Sequence, residues 1–158
     1  MQVLFIRHAP AMEREEFIGE DLDRPLSEKG EKRAAKAFKT LAGLYTKPNA
    51  LYTSEAKRSL QTAQLLSQAF GEISIHTSPL LNPGMDYPRF KTLFDDIDKS
   101  FQAIAIIGHE PDFSEIISEV VSDGSLHLEV KKASCIEIEM GIDCKGMLKA
   151  LIPPKVLR

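Results

Sequence analysis

Two histidines and two arginines stand where apolar runs end. Leu4-Phe5-Ile6 runs into Arg7-His8, and Ala105-Ile106-Ile107-Gly108 runs into His109-Glu110-Pro111. Between them Leu51-Tyr52-Thr53 leads through Ser54-Glu55-Ala56-Lys57 to Arg58. If the three runs are parallel strands, all the polar clusters meet at one sheet edge, where open α/β folds bind their ligands. A phosphoryl group in transfer spreads negative charge over three oxygens, so its catalysis is mostly positioning and electrostatics. Arginine suits that task because its planar fork binds two oxygens and keeps its charge. Histidine titrates near neutrality, so one imidazole can attack while another, charged, donates. An attacking imidazole splits one displacement into two through a covalent phosphohistidine. Taken singly, each residue reads as a surface arginine or a satisfied polar histidine; the set together reads as a phosphate pocket with a nucleophile.

These residues need a scaffold, and the rest of the chain describes one. Gln2–Ile6 reads as a buried strand, and 11–22 as a polar, acidic loop over the site. Ser27 can cap a helix that runs to about Tyr45, with Ala34, Phe38, Leu41 and Tyr45 at helical spacing. Its Glu, Lys and Arg positions read as a solvated face. Asn49–Thr53 is a second strand. Ser54 or Glu55 opens a helix through Phe70, and Ile73–Thr77 is a third short strand. Two prolines and a glycine make 78–87 a loop. Pro88–Ser100 reads as a helix, and Ala103–Ile107 as a strand covered on both faces. Asp112-x-x-Glu115 reads as a capping box, followed by a core stripe of Phe113, Ile116, Ile117, Val120 and Val121. Cys135–Met140 alternates, with Ile136, Ile138 and Met140 inward, and Met147–Ile152 can pair with it. Strands and helices alternate, then a hairpin follows. That pattern predicts a three-layer α/β/α sandwich with a mostly parallel mixed sheet, in one domain spanning 1–158.

Composition excludes several classes of function. Apolar residues make up 43% and charged residues 27% of 158, ordinary globular usage that can bury a real core. The formal charge of −3 gives no global basic field for nucleic acid. The apolar run that begins after Met1-Gln2 stops at Arg7, too short for a signal peptide or a membrane span. Cys135 and Cys144 are the only cysteines and have no Cys-x-x-Cys spacing, which suits incidental thiols in a reducing cytoplasm. No dense carboxylate cluster of the magnesium-holding kind is apparent, so neither metal nor cofactor is expected.

The motifs resemble those of the histidine phosphatase superfamily, also called phosphoglycerate mutase-like, and within it the short SixA-type protein phosphohistidine phosphatases. The resemblance covers nearly the whole chain. It rests on Val3-Leu-Phe-Ile-Arg7-His8-Ala-Pro-Ala11, Asp23-Arg-Pro-Leu-Ser-Glu-Lys-Gly30, Tyr52-Thr-Ser-Glu-Ala-Lys-Arg58-Ser-Leu-Gln-Thr-Ala63, Leu81-Asn-Pro-Gly84 and Ile107-Gly-His109-Glu-Pro111. It implies that His8 is the nucleophile and that Arg7, Arg58 and His109 bind the phosphoryl oxygens. Ala9 stands where the family usually has glycine. Glu110 occupies a position that resembles the proton donor of the acid phosphatase branch. SixA-type proteins often lack that acid.

Three functions are consistent with this reading. The first is a metal-independent phosphatase acting on phosphohistidine in proteins, suited by a short chain with no insertion to build a lid. The second is a phosphatase or mutase for a small phosphorylated substrate, with Glu110 or Asp86 as the acid. The third is a phosphate-binding module without turnover, which would not need two histidines. Nucleic acid and membrane partners are not expected.

Overall fold

The computed structural model describes residues 1–157, and its organisation follows from where the apolar runs fall. β1 (Gln2–Arg7), β2 (Ala50–Thr53), β3 (Ile75–Thr77), β4 (Ala103–Gly108), β5 (Cys135–Met140) and β6 (Gly146–Ile152) form one six-stranded sheet. Its order is β3-β2-β4-β1-β5-β6. β3, β2, β4 and β1 are mutually parallel, and β5 and β6 add an antiparallel hairpin. β4 is hydrogen-bonded on both sides and every one of its residues is buried. That is why its sequence is an unbroken apolar run rather than an alternation.

α1 (Glu28–Leu44) and α2 (Lys57–Ala69) cover one face of the sheet, where Leu4, Ile6, Leu51 and Ile107 meet Phe38, Leu41 and Leu66. α3 (Tyr87–Asp96) and α4 (Asp112–Ser122) cover the other, where Val3, Phe5 and Ile106 meet Phe90, Phe94, Phe113 and Ile117. Phe5 packs edge-on to Phe113 with ring centroids 5.3 Å apart. The architecture is the expected α/β three-layer sandwich. Both cysteines are buried and free. No helix among the described residues is long and apolar enough to cross a membrane.

The differences from the sequence reading lie at element ends. Ser27 caps α1 as expected, its hydroxyl accepting from the Gly30 amide. α2 begins at Lys57 rather than at Ser54 or Glu55, because the Ser54 hydroxyl accepts from the Ala56 amide and holds a non-helical turn. β3 is trimmed to Ile75–Thr77, and Pro79–Leu81 forms a 3₁₀ turn inside the expected loop. α3 stops at Asp96, four residues before the expected end. The capping box on α4 does not form: Asp112 is itself the first helical residue. Its carboxylate accepts from the amides of Gly84 and Met85 and ties down the Pro83-Gly84 turn. The amide of Ser114 is instead satisfied by Glu110 at 2.7 Å.

Candidate active site

Strand register brings the four residues together. Arg7 pairs with Gly108 across β1 and β4, and Thr53 pairs with Ile107 across β2 and β4. His8, Ser54 and His109 therefore each sit one residue past adjacent strand ends. The two imidazole centroids are 5.2 Å apart, and both rings are buried. Arg58 enters from the first turn of α2. With Arg7, Arg24, Lys132 and Glu110 they line a cavity of about 280 Å³ under the loop that carries Glu13, Arg14 and Asp21.

Backbone contacts around His8 fix its presentation. Nδ1 lies 2.7 Å from the Ala9 carbonyl, so it carries the proton and donates there. Nε2 is then the ring nitrogen with the free lone pair. The Ala9 amide donates to Thr62 Oγ1 on α2, and Thr62 donates in turn to the Arg58 carbonyl. The residue after His8 is thus tied to the same turn of α2 that presents Arg58. Gly30 closes the arrangement from the other side. A Cβ there would fall 2.2 Å from the Pro10 carbonyl oxygen, so only glycine lets α1 seat against the chain leaving His8.

The charges are arranged for an anion. Arg7 donates through Nη1 to the Val130 carbonyl at 2.7 Å. Arg58 donates to the Asp21 carbonyl at 2.9 Å and to its carboxylate at 3.1 Å. The Nε of each guanidinium is buried without a partner. A buried donor left unpaired is costly, and an oxyanion would satisfy both. Burial pulls both guanidinium pKa values down, from a starting point high enough that both stay charged.

Both histidines are held neutral. Burial first, then Arg58, Arg7 and Lys132, pull His8 down to about 3 against the opposing hydrogen bond to Ala9. Burial first, then His8 and Arg58, pull His109 down to about 3. In the resting site neither imidazole therefore adds a positive charge to those of the two arginines. An arriving phosphoryl dianion would oppose their repulsion and raise both values. His109 Nε2 lies 2.8 Å from Ser54 Oγ and 3.2 Å from Ser59 Oγ, two hydroxyls that orient the ring.

The predicted residues fall in two places. Arg7, His8, Arg58, His109 and Glu110 line the cavity together. Asp86, the other candidate acid, does not: it caps α3 and lines a separate cavity with Tyr87 and Glu115. Sequence reasoning missed Asp21, Lys132, Ser54, Ser59 and Thr62. Thr62 follows Arg58 at i+4, a helical spacing that could have flagged it. Asp21 reaches Arg58 only through the fold. Among the described residues, no three His, Cys, Asp or Glu side chains are grouped so as to hold a metal ion.

The model of the histidine phosphatase superfamily, branch 1, matches residues 3–114. The chain belongs to that superfamily. It is accordingly a hydrolase of the phosphatase type. It is 32% identical over 146 residues to an uncharacterized protein of Picosynechococcus sp., covering 89% of this chain and 86% of that one. Its fold is similar to that of the protein histidine phosphatase SixA solved with tungstate, at a TM-score of 0.89, 19% identity and full coverage of both chains. It is also similar to the alpha-ribazole phosphatase from Shigella flexneri, at a TM-score of 0.72 and 16% identity, covering 98% of this chain and 97% of that one. Proteins of this fold thus include ones named for protein and for small-molecule substrates.

Proposed function

We propose that this phosphatase removes phosphate from phosphohistidine in proteins, through a covalent intermediate on His8 and without a metal ion. The unprotonated Nε2 of His8 attacks phosphorus, and the N–P bond of the substrate breaks. Arg7, Arg58 and His109 take the charge of the transferring oxygens. Water then attacks the phosphoryl group on His8, releasing inorganic phosphate and restoring the imidazole.

The observation that carries the choice of substrate is the position of Glu110. A phosphoester leaves as an alkoxide, which needs a proton from a general acid worth about 10²–10⁴-fold. Here the Glu110 carboxyl group accepts from the Ser114 amide at 2.7 Å and so is engaged as an acceptor at the start of α4. Asp21 is no better as a donor. Burial pushes its carboxyl up, but Arg58 and Arg24 outweigh burial and hold it below the ordinary range. A phosphohistidine leaves as imidazole, which departs once its ring is protonated from solvent. A site without a poised acid suits that leaving group.

The test is a turnover panel containing a histidine-phosphorylated carrier protein, phosphoramidate and common phosphoesters, run with and without EDTA. The expected result is preferred turnover of the N–P substrates, unaffected by chelation, with an acid-labile, alkali-stable label on the enzyme that His8→Ala abolishes. Preferred turnover of an ester, a divalent-ion requirement, or label persisting in His8→Ala would overturn the proposal.

A further inference from the structure

We infer that a basic groove beside the catalytic cavity receives an acidic segment of the phosphoprotein substrate, next to its phosphohistidine. The inference rests on the phosphohistidine reading above and names what lies beyond the phosphoryl group. The groove encloses about 1090 Å³, against about 280 Å³ for the catalytic cavity, and Arg7, Glu110 and Lys132 line both. The two spaces are therefore neighbours that meet at these three side chains, and a chain attached to a phosphoryl group in the smaller one lies beside the larger. Arg7 is the joint between them: its guanidinium reaches the catalytic cavity while donating to the carbonyl of Val130, a buried residue of the groove.

The lining argues for the chemistry of the occupant. Arg33 and Lys36 come from the exposed side of α1, Lys131 and Lys132 from the segment before β5, and Lys155 from the C-terminal 3₁₀ turn. All five are exposed. The carboxylates on the same wall are Glu110, which is engaged by α4, and Glu129, which is paired with Lys131 at 2.9 Å. This chain carries a formal charge of −3, yet it gathers an excess of cations here. The floor between them is apolar, with Ala34, Ala37 and Leu157 buried. An apolar floor under a cationic rim complements an acidic segment with a few apolar contacts, and it disfavours a basic one. The charged positions of α1 that read as a plain solvated face thus have a directional bias once the fold places Lys131, Lys132 and Lys155 opposite them.

Two synthetic peptides of equal length test this, each bearing one phosphohistidine, one flanked by glutamates and the other by lysines. Phosphoramidate serves as the substrate without flanks. For the wild-type enzyme, kcat/KM at low salt should favour the glutamate peptide about tenfold, and the preference should vanish near 0.5 M salt, where exposed charges are screened. In Lys36→Glu/Lys131→Glu/Lys155→Glu, which leaves Arg7 and Lys132 in place, the preference should invert while phosphoramidate turnover stays unchanged. Equal turnover of the two peptides by the wild type, or a preference that survives high salt or the triple substitution, overturns the docking inference alone. Turnover of neither peptide overturns the phosphohistidine reading, and the groove assignment falls with it. The salt titration needs no substitution, so it decides the matter even if the triple variant fails to fold.

Discussion

At the scale of single residues, the site works by leaving donors unspent and acids occupied. Arg7 and Arg58 each keep a buried Nε free, and the resident partner of Arg58 is the carboxylate of a neighbouring loop. An incoming phosphoryl group therefore competes with Asp21 for that guanidinium, and a departing phosphate finds Asp21 ready to replace it. Glu110 is the residue whose substitution separates the substrate classes. Glu110→Gln keeps an oxygen that can accept from Ser114, so kcat/KM on phosphohistidine should stay within about threefold, whereas a lost general acid would cost about 10²-fold or more. Glu110→Ala should remove the cap and lower stability by about 1 kcal/mol, read from chemical denaturation. A large rate loss in the glutamine variant on phosphohistidine would make Glu110 a proton donor after all.

Among the elements, positioning depends on close approach more than on side-chain chemistry. Gly30 is the clearest case, since a methyl group there meets the Pro10 backbone at 2.2 Å. Gly30→Ala should destabilise by about 1–3 kcal/mol through overpacking. It should also lower kcat, because the chain that yields is the one leaving His8; an unchanged melting temperature and rate would show that α1 can retreat freely. The elements themselves were largely legible in the sequence. Strand ends were marked by Arg7, Thr53 and Gly108 breaking apolar runs, and α1 announced itself through Ser27. The residues legible as a site were those placed directly by these ends: His8, His109 and, one turn into α2, Arg58. What stayed hidden depended on contacts across the chain. Ser54 looked like a helix start because its competing bond to His109 comes from another strand. Asp112 matched a capping box because the Gly84 turn that claims its carboxylate lies 28 residues away. Asp21 and Lys132 sit in loops with no period to flag them.

For the molecule as a whole, the two neutral histidines couple catalysis and folding to pH in a definite direction. In the folded state both sit at about 3, against an ordinary value of 6.5. Between those limits the unfolded chain binds more protons, so stability rises with pH. The contribution is complete above about pH 6.5 and is lost as the pH falls from there toward 3. Each histidine should contribute a slope of about 1 kcal/mol per pH unit within that window, measurable by denaturant melts at successive pH values and reduced in His8→Ala. The same values predict that kcat/KM, corrected for substrate ionisation, shows no inflection near pH 6.5; an acid limb there would mean that His8 is protonated in the resting enzyme. The mounting of the site has a dynamic counterpart. His8 and His109 hang from β1 and β4, and β4 is wholly buried and bonded along both edges. Such strands open only with the whole molecule, whereas exposed loops such as the one bearing Glu13, Arg14 and Asp21 open at little cost. In hydrogen-exchange terms, the amides of the strands that carry the chemistry belong to the slowest-exchanging set, and those of the loop over the cavity belong to the fastest.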